Sequence, residues 1–328
     1  METRVISEIE STRRRHVKFA LVHGQRQEAE PKLSGKCPIC SQPVIAKCGE
    51  VKIWHWAHQG KRFCDPWWES ETEWHRAWKG QFQVEWQEVV HHHPETGEKH
   101  IADVKTDRGW VIELQHSYLK PEERRSRDAF YPKLIWVVDG TRRKRDSAQL
   151  LSAWKEGVPV GANSAVRRAY PDNCTLLREW GGSSAPIFFD LGELQVLWWL
   201  FAKCTNGSTY IAPYPREKFI ESHRGAGTEI AREFDEFMND ILNWSRPTSH
   251  TSDSDVGMAR ATPPTLPADD APKQASKTLL GSISRLTYRC TQLLQRASPF
   301  SRVMERPVRS GHSLGWQHFT VRSRGAKR

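Results

Sequence analysis

Apolar and polar positions are ordered over roughly the first 245 residues and lose that order beyond them. The stretch Val17–Val22 predicts a strand, followed by a polar connection. Glu69–Phe82 predicts a helix with Trp74, Ala77, Trp78 and Phe82 on its apolar side. Val84–Val90 predicts a strand, HHHPETGEK (91–99) a polar loop, and His100–Lys105 a second strand. Thr106-Asp107-Arg108-Gly109 then turns the chain into a third strand, Trp110–Gln115. Pro121-Glu122-Glu123 opens a helix, with Pro in the first turn and acids at the positive end of the dipole. Leu134–Val138 is an almost uniform apolar run, which suits a central strand buried on both faces. Further on, PIFFDLGELQVLWWLFAK (186–203) reads as a strand leading into a buried helix.

These blocks divide the 328 residues into five zones. Residues 1–35 are an N-terminal strand segment, and 36–66 are rich in Cys, His and Trp. Residues 67–155 alternate helix and strand patterns, and 156–245 form a second mixed segment. Residues 246–328 begin as a Ser/Thr/Pro/Asp-rich linker and are expected to be a disordered, basic tail. Within the tail, Leu279, Ile283, Leu286, Cys290, Leu293 and Leu294 recur at helical spacing beside Arg285, Arg289 and Arg296. That pattern suits either a transient helix or a basic amphipathic helix that docks on a protein partner.

Charge sharpens this division. The formal net charge is +10, yet residues 246–328 hold 14 Lys/Arg against 5 Asp/Glu, leaving only +1 for the body. The mean hydropathy of −0.68 is polar for a wholly compact chain. No apolar run approaches the ~18 residues a membrane span needs, and the first residues lack the apolar core of a secretory signal. Seven cysteines in such a chain argue for thiols or metal ligands rather than disulfides, and for a cytoplasmic protein.

Cys37-Pro38-Ile39-Cys40 is a CxxC knuckle, and His55-Trp56-Ala57-His58 follows it. Two thiolates from the knuckle and two imidazoles from the HxxH pair would complete a tetrahedral zinc site of Cys37, Cys40, His55 and His58. Cys48 and Cys64 are spare candidates for either histidine's place. A segment this short has little core of its own unless a metal staples it. A redox reading of CxxC lacks its strand–CxxC–helix context.

Asp103 interrupts a strand that otherwise wants apolar residues, and Glu113 lies towards the end of the next. If the Thr106–Gly109 turn joins those strands directly, the two carboxylates lie side by side on a hairpin. Two hard oxygen ligands that close repel each other unless a divalent cation sits between them. Gln115 shares a face with Glu113 and could orient a water there. Glu71, His75 and Lys79 are spaced i, i+4, i+8 along one side of the preceding helix. His91-His92-His93 cannot all face one ion and reads as solvated loop. The RRKR run at 142–145 reads as an exposed basic edge, with phosphate contact as the minority alternative. Seven of the fifteen tryptophans lie between Trp54 and Trp86, mainly as core around the metal segment and first helix.

The series CPIC…HWAH, ETEWHRAWK, HIADV and VIELQHS, followed by an Arg-containing helix and LIWVVDG, resembles the competence protein CoiA-like family over about residues 15–140. The resemblance implies an α+β or α/β fold: a PD-(D/E)XK, restriction-endonuclease-like αβββαβ core over 67–155, with a small zinc-binding module before it. It implies Glu71, Asp103 and Glu113 as a Mg²⁺-binding set, with Gln115 in the place usually held by Lys. His75 and Lys79 match the polar residues of the first helix. The implied activity is metal-dependent hydrolysis of phosphodiester bonds, in DNA handled during uptake or recombination, with Zn²⁺ structural. The competing reading is a non-catalytic, zinc-containing nucleic-acid adaptor on a decayed nuclease fold. Gln115 supports it, since an amide cannot carry the lysine's charge.

Overall fold

The structure is a computed structural model and describes residues 17–59, 65, 67, 69, 71–159, 165–192, 195–201, 207–225 and 228–245. Cys64 and the helical pattern at Leu279–Leu294 lie outside the described residues.

Five short strands form the first sheet: β1 (Phe19–Val22), β2 (Gln25–Glu28), β3 (Ser34–Lys36), β4 (Pro43–Lys47) and β5 (His55–His58), in the order β2-β1-β3-β4-β5. All the pairs are antiparallel. His23 and Gly24, both left-handed (φ 51 and 83), make the two-residue turn between β1 and β2; that twist matches the strands. Val17 bridges Trp56 of β5, so the sheet curls back on itself. Its core is Val17, Ala20, Val22, Ala29, Cys37, Val44 and Trp56. The strand segment and the Cys/His-rich zone are therefore one unit: β3 crosses the expected boundary at residue 35, because neither part has enough apolar surface alone.

The second sheet has nine strands. After α1 (Glu73–Lys79) come a single 3₁₀ turn at Val84–Trp86, β6 (Gln87–His92), β7 (Lys99–Lys105), β8 (Val111–Gln115), α2 (Pro121–Phe130) and β9 (Leu134–Asp139). This is the expected order of helix, three strands, helix and strand. β6, β7 and β8 are antiparallel; β9 runs parallel to β8 and is buried at all six positions. Then follow α3 (Asp146–Glu156), β10 (Val158–Pro159), β11 (Arg167–Ala169), α4 (Thr175–Trp180), β12 (Ile187–Asp190), β13 (Val196–Leu200), β14 (Thr209–Pro215), α5 (Arg216–His223) and α6 (Glu229–Ser245). The full strand order is β10-β11-β14-β13-β12-β9-β8-β7-β6, with β12 parallel to β9.

Three expectations are corrected. Helix α1 is shorter than Glu69–Phe82, because Thr72 caps it at Glu73 and Gly80 ends it, leaving Glu71 before the helix. The strand expected at Val84–Val90 starts later and runs on to His92, so two of the three clustered histidines are strand residues. The helix expected after Phe189 is strand β13. Gly192 turns the chain at φ 78, and Asp190 Oδ1 accepts from its N–H at 3.0 Å. Trp198 then packs by Trp154 of α3 and Trp199 stacks on Phe188, so the run is apolar throughout because both faces are covered. The mixed segment after 155 thus extends the same sheet. Trp78, Ile112, Leu114, Phe188, Trp199, Phe219 and Phe234 share its main core. Among the described residues no helix is long and apolar enough to cross a membrane.

Candidate metal and phosphodiester site

Cys37 ends β3's approach and Cys40 leaves the knuckle; Cys37 accepts at its carbonyl from Ser41 N–H (2.9 Å) and donates its own N–H to the Gln42 carbonyl (2.9 Å). Ser41 takes the left-handed conformation (φ 57) that folds this turn back into β4. His58, at the end of β5, brings Nε2 to 3.3 Å from Cys40 Sγ. The ligand atoms of Cys37, Cys40 and His58 all lie within 4.8 Å of one another, so this group can hold a metal ion such as zinc. His55 does not join it. It sits at the opposite end of the same strand, three residues or roughly 10 Å away on an alternating backbone, and donates Nδ1–H to the Ile53 carbonyl at 2.7 Å. HxxH places both rings on one ion from a helix; here it lies on a strand. Cys48 is also outside the group, and burial with the nearby Glu30 carboxylate pushes its thiol up.

The β7–β8 ladder pairs Val104 with Ile112 and Lys105 with Val111. One step further, Asp103 faces Glu113. There the Asp103 carboxylate replaces a backbone acceptor: Leu114 N–H donates to Asp103 Oδ2 at 2.9 Å. Ile112 and Leu114 point into the main core, which leaves Glu113 on the other face, where α2 meets it. Arg127 Nη1 lies 3.0 Å from Glu113 Oε2, and the same guanidinium reaches Glu123 Oε1 (2.5 Å) and the Trp67 carbonyl. Glu113 Oε1 is buried without a hydrogen-bond partner. Burial, with Asp103 beside it, pushes the Glu113 carboxyl up against the pull of Arg127.

Lys79 is buried, not on a solvated helix face. Its Nζ lies 2.8 Å from Glu88 Oε1, 2.9 Å from Glu71 Oε1 and 3.4 Å from Asp103 Oδ1. Burial pulls its pKa down, but the carboxylates of Glu88, Asp103 and Glu71 outweigh that and hold the ammonium charged beyond the usual lysine range. Arg76 Nε takes the other Glu71 oxygen at 2.6 Å. Glu71 is thus bound to two cations. Among the described residues, Glu71, Asp103 and Glu113 do not bring their oxygens together around one point as the cysteine group does.

His75 completes α1's capping box: Thr72 N–H donates to His75 Nδ1 at 3.1 Å, and His75 N–H donates to Thr72 Oγ1 at 3.4 Å. The ring proton is therefore on Nε2, which faces Glu69 Oε2 at 3.8 Å. Gln115 Nε2 donates to that same Glu69 oxygen at 2.7 Å. Burial pushes the Glu69 carboxyl up, and His75 and the Ser117 hydrogen bonds outweigh it, leaving it below the usual carboxylate range.

Sequence reasoning missed Glu69, Glu88 and the His116–Asp139 pair. Glu88 is opposite Asp103 in the β6–β7 register, carries a left-handed backbone (φ 46), and accepts from the N–H of Lys18, the residue before β1, at 2.8 Å. Nothing local marks it. His116 Nδ1 donates to Asp139 Oδ2 at 2.7 Å. That pair had a signal: β8 and β9 both end in polar residues at matching positions, Gln115 pairing with Val138 one step before.

Residues 25–66, which span most of the first sheet and the cysteine knuckle, match the family described as competence protein CoiA, N-terminal domain, so this segment is similar to that domain. Neither a curated protein nor a solved structure matches the chain.

Proposed function

We propose that this CoiA-like chain is a metal-dependent nuclease that hydrolyses phosphodiester bonds in DNA, with the catalytic ion held by Asp103 and Glu113. The observation that carries the reading is the hairpin register: two carboxylates face each other across β7 and β8, and the buried Glu113 Oε1 has no partner. A hard divalent ion fits that donor pair. The element order α1-β6-β7-β8-α2-β9 supports a PD-(D/E)XK core around it. Bound Mg²⁺ would polarise the scissile phosphate and lower the pKa of the attacking water. The chain's own groups do the rest. Arg127 fixes Glu113 through Oε2 and leaves Oε1 to the site. Glu69 grips Gln115 through its amide N–H, so the Gln115 carbonyl oxygen is free to accept from a water and aim it. Lys79 sets Asp103 and shares its single positive charge with Glu71 and Glu88. The role of Glu71 is therefore exerted through Lys79, not as a third ligand. The Cys37–Cys40–His58 group would hold structural zinc, and the likeness to a competence protein supports incoming or recombining DNA as the substrate.

A second reading has a specific observation in its favour. Lys79 already ion-pairs with three acids and Arg127 with a fourth, and such pairing competes with a metal ion, as a non-catalytic adaptor on an old site would have it. One experiment separates the two. The full chain is incubated with labelled single- and double-stranded DNA and RNA in Mg²⁺, Mn²⁺ or EDTA. The nuclease reading expects cleavage of DNA in metal and none in EDTA, with Asp103→Asn and Glu113→Gln reduced to the EDTA level while binding persists. Binding without cleavage in any metal favours the adaptor. Gln115→Lys restores the usual residue; retained cleavage would show that either group orients the water.

A further inference from the structure

A cleft opens just beyond the carboxyl ends of the parallel strands β8 and β9, where open α/β sheets take their ligands. Its polar lining is His116, Ser117, Arg124, Arg142, Asp139 and Glu179. The two acids are already spent. Asp139 is buried; its Oδ1 accepts from Thr141 N–H and Oγ1 (2.8 and 2.7 Å) and its Oδ2 from His116. Glu179 is held bidentately by Arg143 at 2.6 and 2.9 Å. The cations are not spent. Arg124 is buried, uses one guanidinium nitrogen on the Glu179 carbonyl, and keeps a buried Nε–H without a hydrogen-bond partner. Arg142 has only a 3.9 Å approach to Glu179. His116 is about a third exposed, and with Nδ1 committed to Asp139 its remaining polar atom is Nε2. The Ser117 hydroxyl also lines the cleft but is already engaged with the Glu69 carboxylate. A lining whose carboxylates are consumed internally, while Arg124 and Arg142 keep guanidinium N–H groups to spare, suits a tetrahedral oxyanion.

We propose that this cleft binds a phosphate group, and that the group is a backbone phosphate of the bound nucleic acid next to the scissile one. The second half rests on the nuclease reading. On a strand rising ~3.3 Å per residue, His116 stands roughly 10 Å from Glu113, so it serves a different phosphate from the one Asp103 and Glu113 face. Asp139 is the positioning residue: it fixes the imidazole through Nδ1.

The test uses the full chain in EDTA, so that no cleavage is needed. Inorganic phosphate is titrated by calorimetry, and 5′-phosphorylated and 5′-hydroxyl oligonucleotides are bound across a salt series. The wild type should bind phosphate saturably, and Arg142→Gln and His116→Asn, both checked for unchanged melting, should weaken that binding. Arg142→Gln should weaken both oligonucleotides about five- to tenfold and make the log–log salt slope shallower by about 0.7–0.9, one phosphate contact. Loss confined to the 5′-phosphorylated oligonucleotide overturns the backbone assignment. Phosphate binding with unchanged oligonucleotide affinity overturns the nucleic-acid half. Wild-type affinity and slope in both variants overturn the site altogether. A wild type that binds this way yet never cleaves would remove the nuclease reading and leave the phosphate site standing.

Discussion

Lys79 shows how a residue's neighbours decide its meaning. A lysine on the polar side of a helix is ordinarily solvated, but here three carboxylates close over its Nζ. Removing the cation from a buried ionic cluster typically costs about 3–5 kcal/mol, because the partners keep their charge and lose their neutraliser. Lys79→Met should therefore lower unfolding free energy by about that amount, read from the urea midpoint; a loss under 1 kcal/mol would mean the cluster is hydrated and weak. The same comparison explains what was legible. Asp103 and Glu113 announce themselves because an acid in an apolar strand breaks a local pattern. Glu88 and Glu69 do not, since their partners, Lys18 and Gln115, are about 70 and 46 positions away. Gln115 was expected to orient water, and its grip by Glu69 comes only with the fold.

At the scale of elements, the histidine pair of β5 is the clearest case. The HxxH spacing suggested two metal ligands, and a strand's two-residue period separates them. His58→Ala should release the metal, and His55→Ala should keep about one zinc per chain by metal analysis. Equal loss in both variants would restore the four-ligand set. The strands flanking the Thr106–Gly109 turn and the helix opened by Pro121 follow their sequence signals closely. β13 does not, because a uniformly apolar run carries no period. Which element it forms was decided by Gly192 and by the tryptophans' partners on both faces.

At the scale of the whole molecule, acid stability has an identifiable weak point. His223 is buried among Phe219 and Phe234, donates Nδ1–H to the Phe219 carbonyl at 2.6 Å, and has no hydrogen-bond partner at Nε2. Burial pulls its pKa down to about 3, whereas the unfolded chain binds that proton near ~6.5. The unfolded state therefore binds more protons as pH falls between those values. The stability from a neutral His223 is complete above ~6.5 and is lost by up to ~1.4 kcal/mol per pH unit below it, down to about pH 3. Urea midpoints at pH 7, 6, 5 and 4 should fall less steeply in His223→Gln than in the wild type. Matching slopes would assign acid sensitivity to the carboxylates instead.

The indoles of Trp74 and Trp78 on α1 both donate to Asp190 Oδ2, at 3.1 and 2.8 Å, across more than a hundred residues. The first sheet, by contrast, is complete at His58. At a synthesis rate of about 5–20 residues per second, Asp190 is made on the order of ten seconds after the metal-binding sheet has all its strands. The strands that carry Cys37, Cys40 and His58 are thus all made while the helix that carries Lys79 still waits for its Asp190 anchor.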